Sequence, residues 1–388
     1  MTHTSKSPLD AARALAPGIR ERADEIERDR RLPPQMVQSM ASAGLFRMCV
    51  PRAHGGSETD VASVLRVIEE IAQADGSAGW CVMIGATSAL VTGYLDEAVV
   101  HEIYREAPDT ILGGVFAPRG EAVVEDSGYR VTGRWPFASG CEHCGWLLGG
   151  SVVVEGGKPR LLARGLPDAR MMLFPKAEVE VIDTWSVSGL RGTGSHDIAV
   201  SDVYVPAVRS VSFVSDRPRE GGPLYTFPVF GLLALGIAAV AVGVARRAID
   251  ELVELAARKT PAGSRRMLAE RPLVQMQVAE AEALLRAARA FLFESVSEAW
   301  EGARSRGTIE LAARARLRLA AAHATASSAK AVDLAYEAGG GTSIYATSPL
   351  QRCFRDIHVA TQHMMVGPMS YELTGRLLLG LETDTSML

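Results

Sequence analysis

The stretch FPVFGLLALGIAAVAVGVA at 227–245 carries no charged residue and is close to the length that crosses a lipid bilayer. Much of it is alanine and glycine, Pro228 stands near its start, and Arg246 and Arg247 lead directly into the amphipathic run AIDELVELAARK. Small side chains all round a helix let backbones approach closely, as the centre of a helix bundle or an oligomer interface requires. The sequence has no second such stretch and no flanking aromatic belt. We therefore predict a buried helix of a soluble protein and no membrane span.

Composition and charge exclude several classes of partner. The chain has 388 residues, of which 47% are hydrophobic, and a formal net charge of −4, so it can bury a large core. Acidic and basic residues alternate, as in RERADEIERDRR at 20–31, which is typical of a solvated helix face and argues against nucleic acid as a partner. The start, MTHTSKSPLD, lacks a basic-then-apolar targeting segment. Five cysteines, an odd number in a long chain, favour a reduced, cytoplasmic protein.

Three regions of different sequence texture predict three structural units. Residues 1–112 show helical periodicity and predict an N-terminal helical domain. Residues 113–222 hold short β-rich segments separated by Gly, Pro and Asp, which predict a small antiparallel β domain. Long helical patterns return in residues 223–388, where the glycines at 339–341 end one helix and a last helix is expected from about Pro349 to Leu379.

The segment RDIHVATQHMM at 355–365 contains two histidines, His358 and His363, five positions apart. Five residues of a helix rotate by about 500°, so the two side chains would point about 140° apart. Metal-binding pairs on a helix need a spacing of three or four residues, so these two do not form a metal site. The residues alone leave two interpretations: a surface histidine beside a hydrogen-bonded core histidine, or a catalytic role for one of them.

Three further segments combine polar and small residues. CEHC at 141–144 resembles half of a zinc site, but no second half exists and it follows Ser139-Gly140 in a loop, so two partly buried thiols are expected there. GRWPFASG at 133–140 brings aromatic rings and a hydroxyl into one turn, which suits either a flat heteroaromatic ligand or core packing. SGLRGTGSHD at 188–197 could let backbone amides approach a ligand, although it lacks the strand-to-helix setting of a nucleotide-binding loop.

The order and spacing of three motifs resemble the acyl-CoA dehydrogenase fold over nearly the whole chain. The motifs are the Gly-x-x-x-aromatic-x-Ser turn from Gly133 to Ser139, the strand end DVYVP at 202–206, and GGG followed by LQRCFRD at 350–356. The resemblance implies an α+β, mainly α fold with an N-terminal helical domain, a central antiparallel β domain and a C-terminal four-helix bundle. It also implies a homotetramer.

The same resemblance implies that a flavin, FMN or FAD, lies between the β domain and the C-terminal bundle. Phe137 would pack on the flavin, and the Ser139 hydroxyl would face its N5 edge. Phe116 stands where the family's other flavin-side strand ends. The family's glycine stretch beside a neighbouring subunit's cofactor corresponds to Gly339, Gly340 and Gly341.

Departures from the family pattern point to a sister group within the fold. Dehydrogenases of this fold abstract a proton with a glutamate, but Met364 occupies its commonest position and the helix at about 230–240 holds no acid. The family's Thr-Glu-Pro stretch is replaced by APRGEAV. Two-component flavin monooxygenases instead carry a serine at the position of Ser139 and a histidine one residue before the lost glutamate, here His363. Some members have another histidine in the N-terminal domain, which GWCVMIGATSAL at 79–90 lacks.

These comparisons within the sequence favour a flavin-dependent monooxygenase that uses reduced flavin and O2 to hydroxylate or oxidise a small aromatic or amine-type substrate. His363, with a pKa near the working pH, is the candidate base, and His358 is expected to be supporting or at the surface. A separate flavin reductase would supply reduced flavin, because no nicotinamide fingerprint is visible. The alternatives are an acyl-CoA dehydrogenase with an unrecognised base and a non-catalytic scaffold. No metal is expected.

Overall fold

A computed structural model describes residues 7–105, 107–162 and 165–388. Within these residues, helices come first, an eight-stranded sheet follows, and long helices complete the chain. The N-terminal helices are α1 (Pro8–Glu21), α2 (Ala23–Asp29), α3 (Pro34–Ser42), α4 (Val61–Ala74), α5 (Gly76–Ser88) and α6 (Glu97–Tyr104). The strands are β1 (Leu112–Glu125), β2 (Gly128–Ala138), β3 (Trp146–Glu155), β4 (Lys158–Pro159), β5 (Ala169–Pro175), β6 (Glu180–Ile182), β7 (His196–Pro206) and β8 (Ser210–Val211). The C-terminal helices are α7 (Pro223–Thr226), α8 (Val229–Arg258), α9 (Pro272–Arg306), α10 (Leu311–Gly339), α11 (Pro349–Ala360) and α12 (Met369–Leu378).

Local side chains define several helix starts. The Asp60 carboxylate accepts a hydrogen bond from the Ser63 amide at 2.9 Å and begins α4. The Asp75 carboxylate does the same for α5 through the Ala78 amide, also at 2.9 Å. Such caps satisfy amides that have no partner within the helix. Because Asp75 also follows the last residue of α4, one residue separates two buried helices and fixes the turn between them.

The sheet is mixed, so the expected purely antiparallel domain is wrong in one respect. Its strand order is β6-β7-β2-β1-β3-β5-β8, with β4 beside β3. Strands β1 and β3 are parallel, with Leu112 opposite Trp146, whereas the other pairs are antiparallel. The chain leaves β1 into the hairpin with β2 and then returns to the opposite side of β1, which makes the β1–β3 pair parallel. Strand periodicity alone does not record this return.

Helix α8 contains the uncharged stretch and lies at the centre of the molecule. It is long and apolar enough to cross a membrane, with a mean hydropathy of 2.2 in its most apolar window, but 89% of that window is buried inside the protein. It packs against α4 and α5 of the N-terminal helices and against α10 and α11 of the C-terminal helices. A Cβ atom at Gly243 would lie 2.5 Å from the Glu69 carbonyl oxygen. The small residues therefore allow close packing within one chain, and they do not form an open oligomer interface.

The expected last helix from Pro349 to Leu379 is broken into α11 and α12. Residues 361–368 between them form turns, and Pro368 follows Gly367 at the point where a continuous helix would need a backbone N–H. His358 therefore lies on α11, whereas His363 lies in the turn that follows it. The angle of about 140° expected for two histidines on one helix does not apply.

Candidate functional site

Strand β2 ends in a strained turn that exposes one aromatic ring. Phe137 has a left-handed backbone with φ of +67°, and the pairing of β2 with β7 shifts register between Trp135 and Ala138. Its side chain is 68% exposed and meets Trp185 edge-on, with ring centroids 6.2 Å apart. A left-handed backbone at a bulky residue costs about 1–3 kcal/mol and persists where the surroundings hold it. The turn thus holds a flat apolar face outward, which fits a planar ligand such as a flavin.

The Ser139 hydroxyl lies two residues further along and belongs to a buried chain of hydrogen bonds. The Trp80 indole N–H donates to Ser139 Oγ at 3.0 Å. Ser139 Oγ and Ser195 Oγ are 2.7 Å apart, and Ser195 Oγ and Thr193 Oγ1 are also 2.7 Å apart. The Thr193 hydroxyl donates to the Leu190 carbonyl oxygen at 2.8 Å. Two of these hydrogen bonds tie the β2 turn to α5 and to the loop before β7, and the other two lie within that loop.

Trp80 also connects Ser139 to His363. The indole of Trp80 and the ring of His363 have centroids 6.0 Å apart and an interplanar angle of 57°. The same indole hydrogen bonds to Ser139, so the two predicted catalytic residues lie on one tryptophan although they are far apart in sequence. Trp80 projects from α5, so this helix meets Ser139 through a hydrogen bond and His363 through a ring contact.

The surroundings of His363 keep its ring neutral. The Met365 backbone N–H donates to His363 Nδ1 at 3.2 Å, so the ring proton of the neutral form belongs on Nε2. Burial, together with the nearby Arg318 cation, lowers the pKa of His363 to about 4. The expectation of a pKa near the working pH is therefore wrong. At neutral pH this imidazole is a weak base and a good hydrogen-bond donor through Nε2.

Arg318 supports the turn that carries His363. Its guanidinium is buried, donates to the Met387 carbonyl oxygen at 3.0 Å, and lies 3.3 Å from Ser370 Oγ. The Ser370 hydroxyl donates to the Met365 carbonyl oxygen at 3.2 Å. Arg318 and Ser370 thus support the backbone at Met365, the residue whose N–H binds His363 Nδ1. Burial lowers the pKa of Arg318.

The two neighbouring candidates, His358 and Met364, have different surroundings. His358 Nε2 lies 2.8 Å from Asp333 Oδ1 on α10, and its imidazole is about two-fifths exposed. Met364, at the position of the family's glutamate, has 72% of its surface exposed in the single chain. A thioether provides no usable base for carbon-acid chemistry. The two histidines therefore differ in their contacts: of the two, only His363 lies beside Trp80.

The Arg-Asp pair of the C-terminal motif anchors the hydroxyl-rich loop. Asp356 Oδ1 accepts a hydrogen bond from the Leu190 amide at 2.6 Å, and the Arg355 guanidinium donates to the Ser188 carbonyl oxygen. Leu190 has a left-handed backbone with φ of +49°, so this anchor holds a strained residue. Burial and the nearby Asp75 raise the pKa of Asp356 to about 7. The motif thus acts on the site through the loop that carries Thr193 and Ser195.

The other predicted cofactor residues lie in separate places. Phe116 is partly buried and stacks on Phe213, with centroids 5.5 Å apart, and it also meets Phe230 edge-on. Within the described residues, no contact joins this aromatic cluster to Ser139 or His363. The glycine stretch ends α10: the Lys259 ammonium donates to the first glycine's carbonyl oxygen at 2.8 Å, and the next two glycines are exposed. The three glycines of this stretch are Gly339, Gly340 and Gly341.

The CEHC loop contains buried thiols. All five cysteines of the chain are free and buried. Burial raises the pKa of Cys141 to about 11 and raises that of Cys144 further, so both favour the thiol over the thiolate that metal binding or redox chemistry needs. Across the described parts of the chain, no group of three or more His, Cys, Asp or Glu side chains is arranged to hold a metal.

Sequence reasoning did not identify Trp80, Thr193, Ser195 or Arg318. The segment SGLRGTGSHD was singled out for its glycines and backbone amides, yet the structure uses its hydroxyl side chains. Trp80 stood in an apolar helix without a periodic signal for a site. Its hydrogen-bond partner, Ser139, is 59 positions away in the sequence, so only the folded structure identifies the pair.

The fold and two family models define the class of this protein. The description "Acyl-CoA dehydrogenase, N-terminal domain" matches residues 6–102, and "Acyl-CoA dehydrogenase, C-terminal domain" matches residues 235–368. The chain belongs to the acyl-CoA dehydrogenase superfamily and, within it, to the flavin-dependent monooxygenases. The predicted fold, family and enzyme class are therefore confirmed.

Three proteins are similar to this chain over nearly its whole length. Indole-3-acetate monooxygenase from Pseudomonas putida is 35% identical to this chain. The alignment spans 95% of this chain and 93% of that protein. HsaA, the oxygenase subunit of a flavin-dependent monooxygenase from Mycobacterium tuberculosis, is 31% identical to this chain. The alignment spans 99% of this chain and 98% of HsaA. A crystal structure of HsaA from M. tuberculosis superposes with a TM-score of 0.91 over 99% of this chain and 100% of that one, at 32% identity. XiaF from Streptomyces sp., solved with FADH2 and glycerol, gives a TM-score of 0.88 at 27% identity, over 97% and 96% of the two chains.

Proposed function

We propose that this protein is the oxygenase component of a two-component system that hydroxylates a small aromatic substrate with reduced flavin and O2. The observation that carries the proposal is the single indole of Trp80, which hydrogen bonds to Ser139 and contacts the ring of His363. HsaA is named an oxygenase subunit, which supports a separate reductase, and XiaF was solved with FADH2, which supports reduced flavin. The name indole-3-acetate monooxygenase supports an aromatic substrate, whereas none of the relatives named here supports an amine.

The residues around the β2 turn fit a flavin. The exposed Phe137 ring provides an apolar face for a planar ring system. The buried Ser139 hydroxyl stands two residues away and can hydrogen bond to the N5 edge. When bound, reduced flavin supplies the two electrons with which O2 gives one oxygen atom to the substrate and one to water. The hydroxyl chain and the Trp80 indole are buried, which limits the access of water to this edge.

We assign His363 a substrate-binding role beside Trp80. In the neutral form set by Met365, the ring has an Nε2–H that can donate to a phenolic or carboxylate oxygen of the substrate. To act instead as the base, the ring would have to give up the Met365 contact or carry its proton on the other nitrogen. The donor role is favoured because burial and Arg318 hold the pKa near 4. The substrate class is therefore an aromatic compound with an oxygen acceptor.

The experiment is turnover with reduced FMN or FAD and O2 across phenols, indoles, aryl acetates, amines and acyl-CoA esters. We expect oxygenated product from an aromatic member of the panel, and product formation that requires flavin in the reduced state. Oxidation of an acyl-CoA with an artificial electron acceptor, without any oxygenated aromatic product, would instead support the dehydrogenase alternative. A homotetramer and a cytoplasmic location remain our predictions alongside this function.

A further inference from the structure

We infer that Thr193 and Ser195 fix the direction of the Ser139 hydroxyl proton, so that Ser139 offers a bound flavin only an acceptor and the site favours reduced over oxidised flavin. The inference rests on the proposed function, because it takes Ser139 to face the flavin N5. It assigns positioning roles to two residues that the reaction itself does not use. Both lie in the loop between Leu190 and strand β7.

The direction of each hydrogen bond follows from counting protons. The Leu190 carbonyl oxygen can only accept, so the Thr193 hydroxyl donates to it. Thr193 has no second hydroxyl proton, so Ser195 must be the donor in their 2.7 Å contact. Ser195 has then used its own proton, which makes Ser139 the donor in the 2.7 Å contact between the two serines. The chain therefore runs in one direction, from Ser139 to Leu190.

Trp80 completes the set of bonds to Ser139. An indole nitrogen has a proton and no available lone pair, so Trp80 donates to Ser139 Oγ at 3.0 Å. Ser139 thus gives its only proton to Ser195 and accepts one from Trp80, which leaves a single acceptor position. The three hydroxyl residues are 5%, 3% and 1% exposed in the order Ser139, Ser195, Thr193. Water therefore has little access with which to reverse the chain.

The two redox states of flavin differ at the atom that Ser139 would meet. N5 carries a hydrogen in reduced flavin and is an acceptor in oxidised flavin. An acceptor-only Ser139 can take the hydrogen bond from the reduced form, but it places a lone pair against a lone pair in the oxidised form. A single net hydrogen bond changes an equilibrium constant roughly 2- to 10-fold. The chain thus discriminates between the redox states without a charged residue.

The test compares dissociation constants of oxidised and anaerobically reduced FMN, and likewise of FAD, for the purified protein and its variants. Ser195→Ala removes the acceptor of the Ser139 proton, and Thr193→Val removes the acceptor of the Ser195 proton, so that Ser195 can donate to Ser139 instead. In both variants the Ser139 proton can point at N5. Both should therefore lower the ratio of the dissociation constant of oxidised flavin to that of reduced flavin roughly 2- to 10-fold. Thr193→Ser keeps the hydroxyl and should restore the wild-type ratio. Ser151→Ala is the control, because that buried hydroxyl donates to the Gly149 carbonyl oxygen within the sheet and lies outside the chain.

Three outcomes would overturn the inference, and only one of them would also overturn the proposed function. If Ser195→Ala and Thr193→Val leave the ratio unchanged while Ser139→Ala lowers it, Ser139 meets the flavin but its proton is not set by the chain, and the inference is wrong. If the wild-type protein binds no reduced flavin, the inference and the proposed function both fall. A ratio that changes equally in Ser151→Ala would also overturn the inference, since the effect would then be general.

Discussion

At the residue scale, His363 is distinguished by what its two ring nitrogens contact. Nδ1 accepts from the Met365 amide, and Nε2 makes no hydrogen bond to any described residue. His358, five positions earlier, has its Nε2 beside the Asp333 carboxylate. A substrate oxygen can therefore reach a free donor on His363 but not on His358. The two histidines form a natural pair of test and control.

We predict that His363→Ala lowers coupled turnover roughly 10- to 100-fold, because it removes one hydrogen bond to a substrate oxygen of anionic character. His363→Asn should retain more activity, since its amide can donate but cannot take up a proton. Oxygen use should continue in both, with peroxide released in place of product. Simultaneous measurement of O2, peroxide and hydroxylated product checks this, with His358→Ala as the control. Losses of about 10²–10⁴-fold in both variants would show that His363 is a base after all.

Sequence reasoning reached Ser139 and His363 through family resemblance, not through physical pattern. The angle inferred from the five-residue spacing does not apply to His363, because α11 ends at Ala360 and His363 lies in the turns that follow. The hydroxyls of Thr193 and Ser195 and the indole of Trp80 meet Ser139 from distant parts of the chain. Only the fold brings such side chains together, and the pKa of His363 depends on that same burial.

At the element scale, the packing of α8 against α4 joins the N-terminal and C-terminal helices in one core. A Cβ at Gly243 would lie 2.5 Å from the Glu69 carbonyl oxygen and 2.7 Å from the Ala72 Cβ. Both belong to α4, and the carbonyl is backbone, so the added methyl can be accommodated only if one helix moves. This close approach was predictable from the uncharged, small-residue stretch, whereas its partner helix was not.

We predict that Gly243→Ala destabilises the protein by roughly 1–3 kcal/mol, although alanine favours helix formation, because overpacking outweighs that preference. Gly375→Ala in the middle of α12 is the matched control, since no atom lies within 4 Å of its added Cβ. It should be neutral or stabilise by about 0.5–1 kcal/mol. Urea midpoints of the two variants give the comparison. Equal stability changes in both would show that α4 and α8 do not limit the packing.

At the scale of the whole molecule, two partly buried histidines make stability depend on pH. Burial lowers the pKa of both His143 and His363 to about 4, from an ordinary value of 6.5. Between these pH values the unfolded chain binds more protons, so the unfolding free energy falls as the pH falls from about 6.5 to 4. Asp356, with its pKa raised to about 7, acts in the opposite sense. Its contribution to the unfolding free energy is present at low pH and is lost as the pH rises through 7.

We predict that His143→Gln reduces the loss of stability between pH 7 and 4.5 by roughly 1–3 kcal/mol, because one of these two histidines no longer takes up a proton on unfolding. Unfolding free energies from urea titrations at several pH values would measure this. His101→Gln, at an exposed position on α6, serves as the control. If the His143 variant and the control lose stability in parallel with the wild-type protein, His143 does not contribute to acid sensitivity.

The predicted homotetramer needs a surface other than α8, which is covered within the chain. Large apolar side chains are exposed at the end of α12 and in the turn after α10, where glycines 340 and 341 are also exposed. They are Ile344, Tyr345, Leu378 and Leu379. We predict that these segments join neighbouring subunits and that Leu378→Lys with Leu379→Lys lowers the oligomeric state in sedimentation. A stable wild-type monomer at micromolar concentration would contradict the prediction.

The most direct test of the monooxygenase account is a reaction with reduced flavin and ¹⁸O2 on the aromatic compound that gives turnover in the panel. We predict product that carries one ¹⁸O atom, with Ser139→Ala shifting the yield from product towards labelled peroxide. Product without the label, or consumption of O2 that yields only peroxide in the wild-type protein with every aromatic compound, would contradict the account.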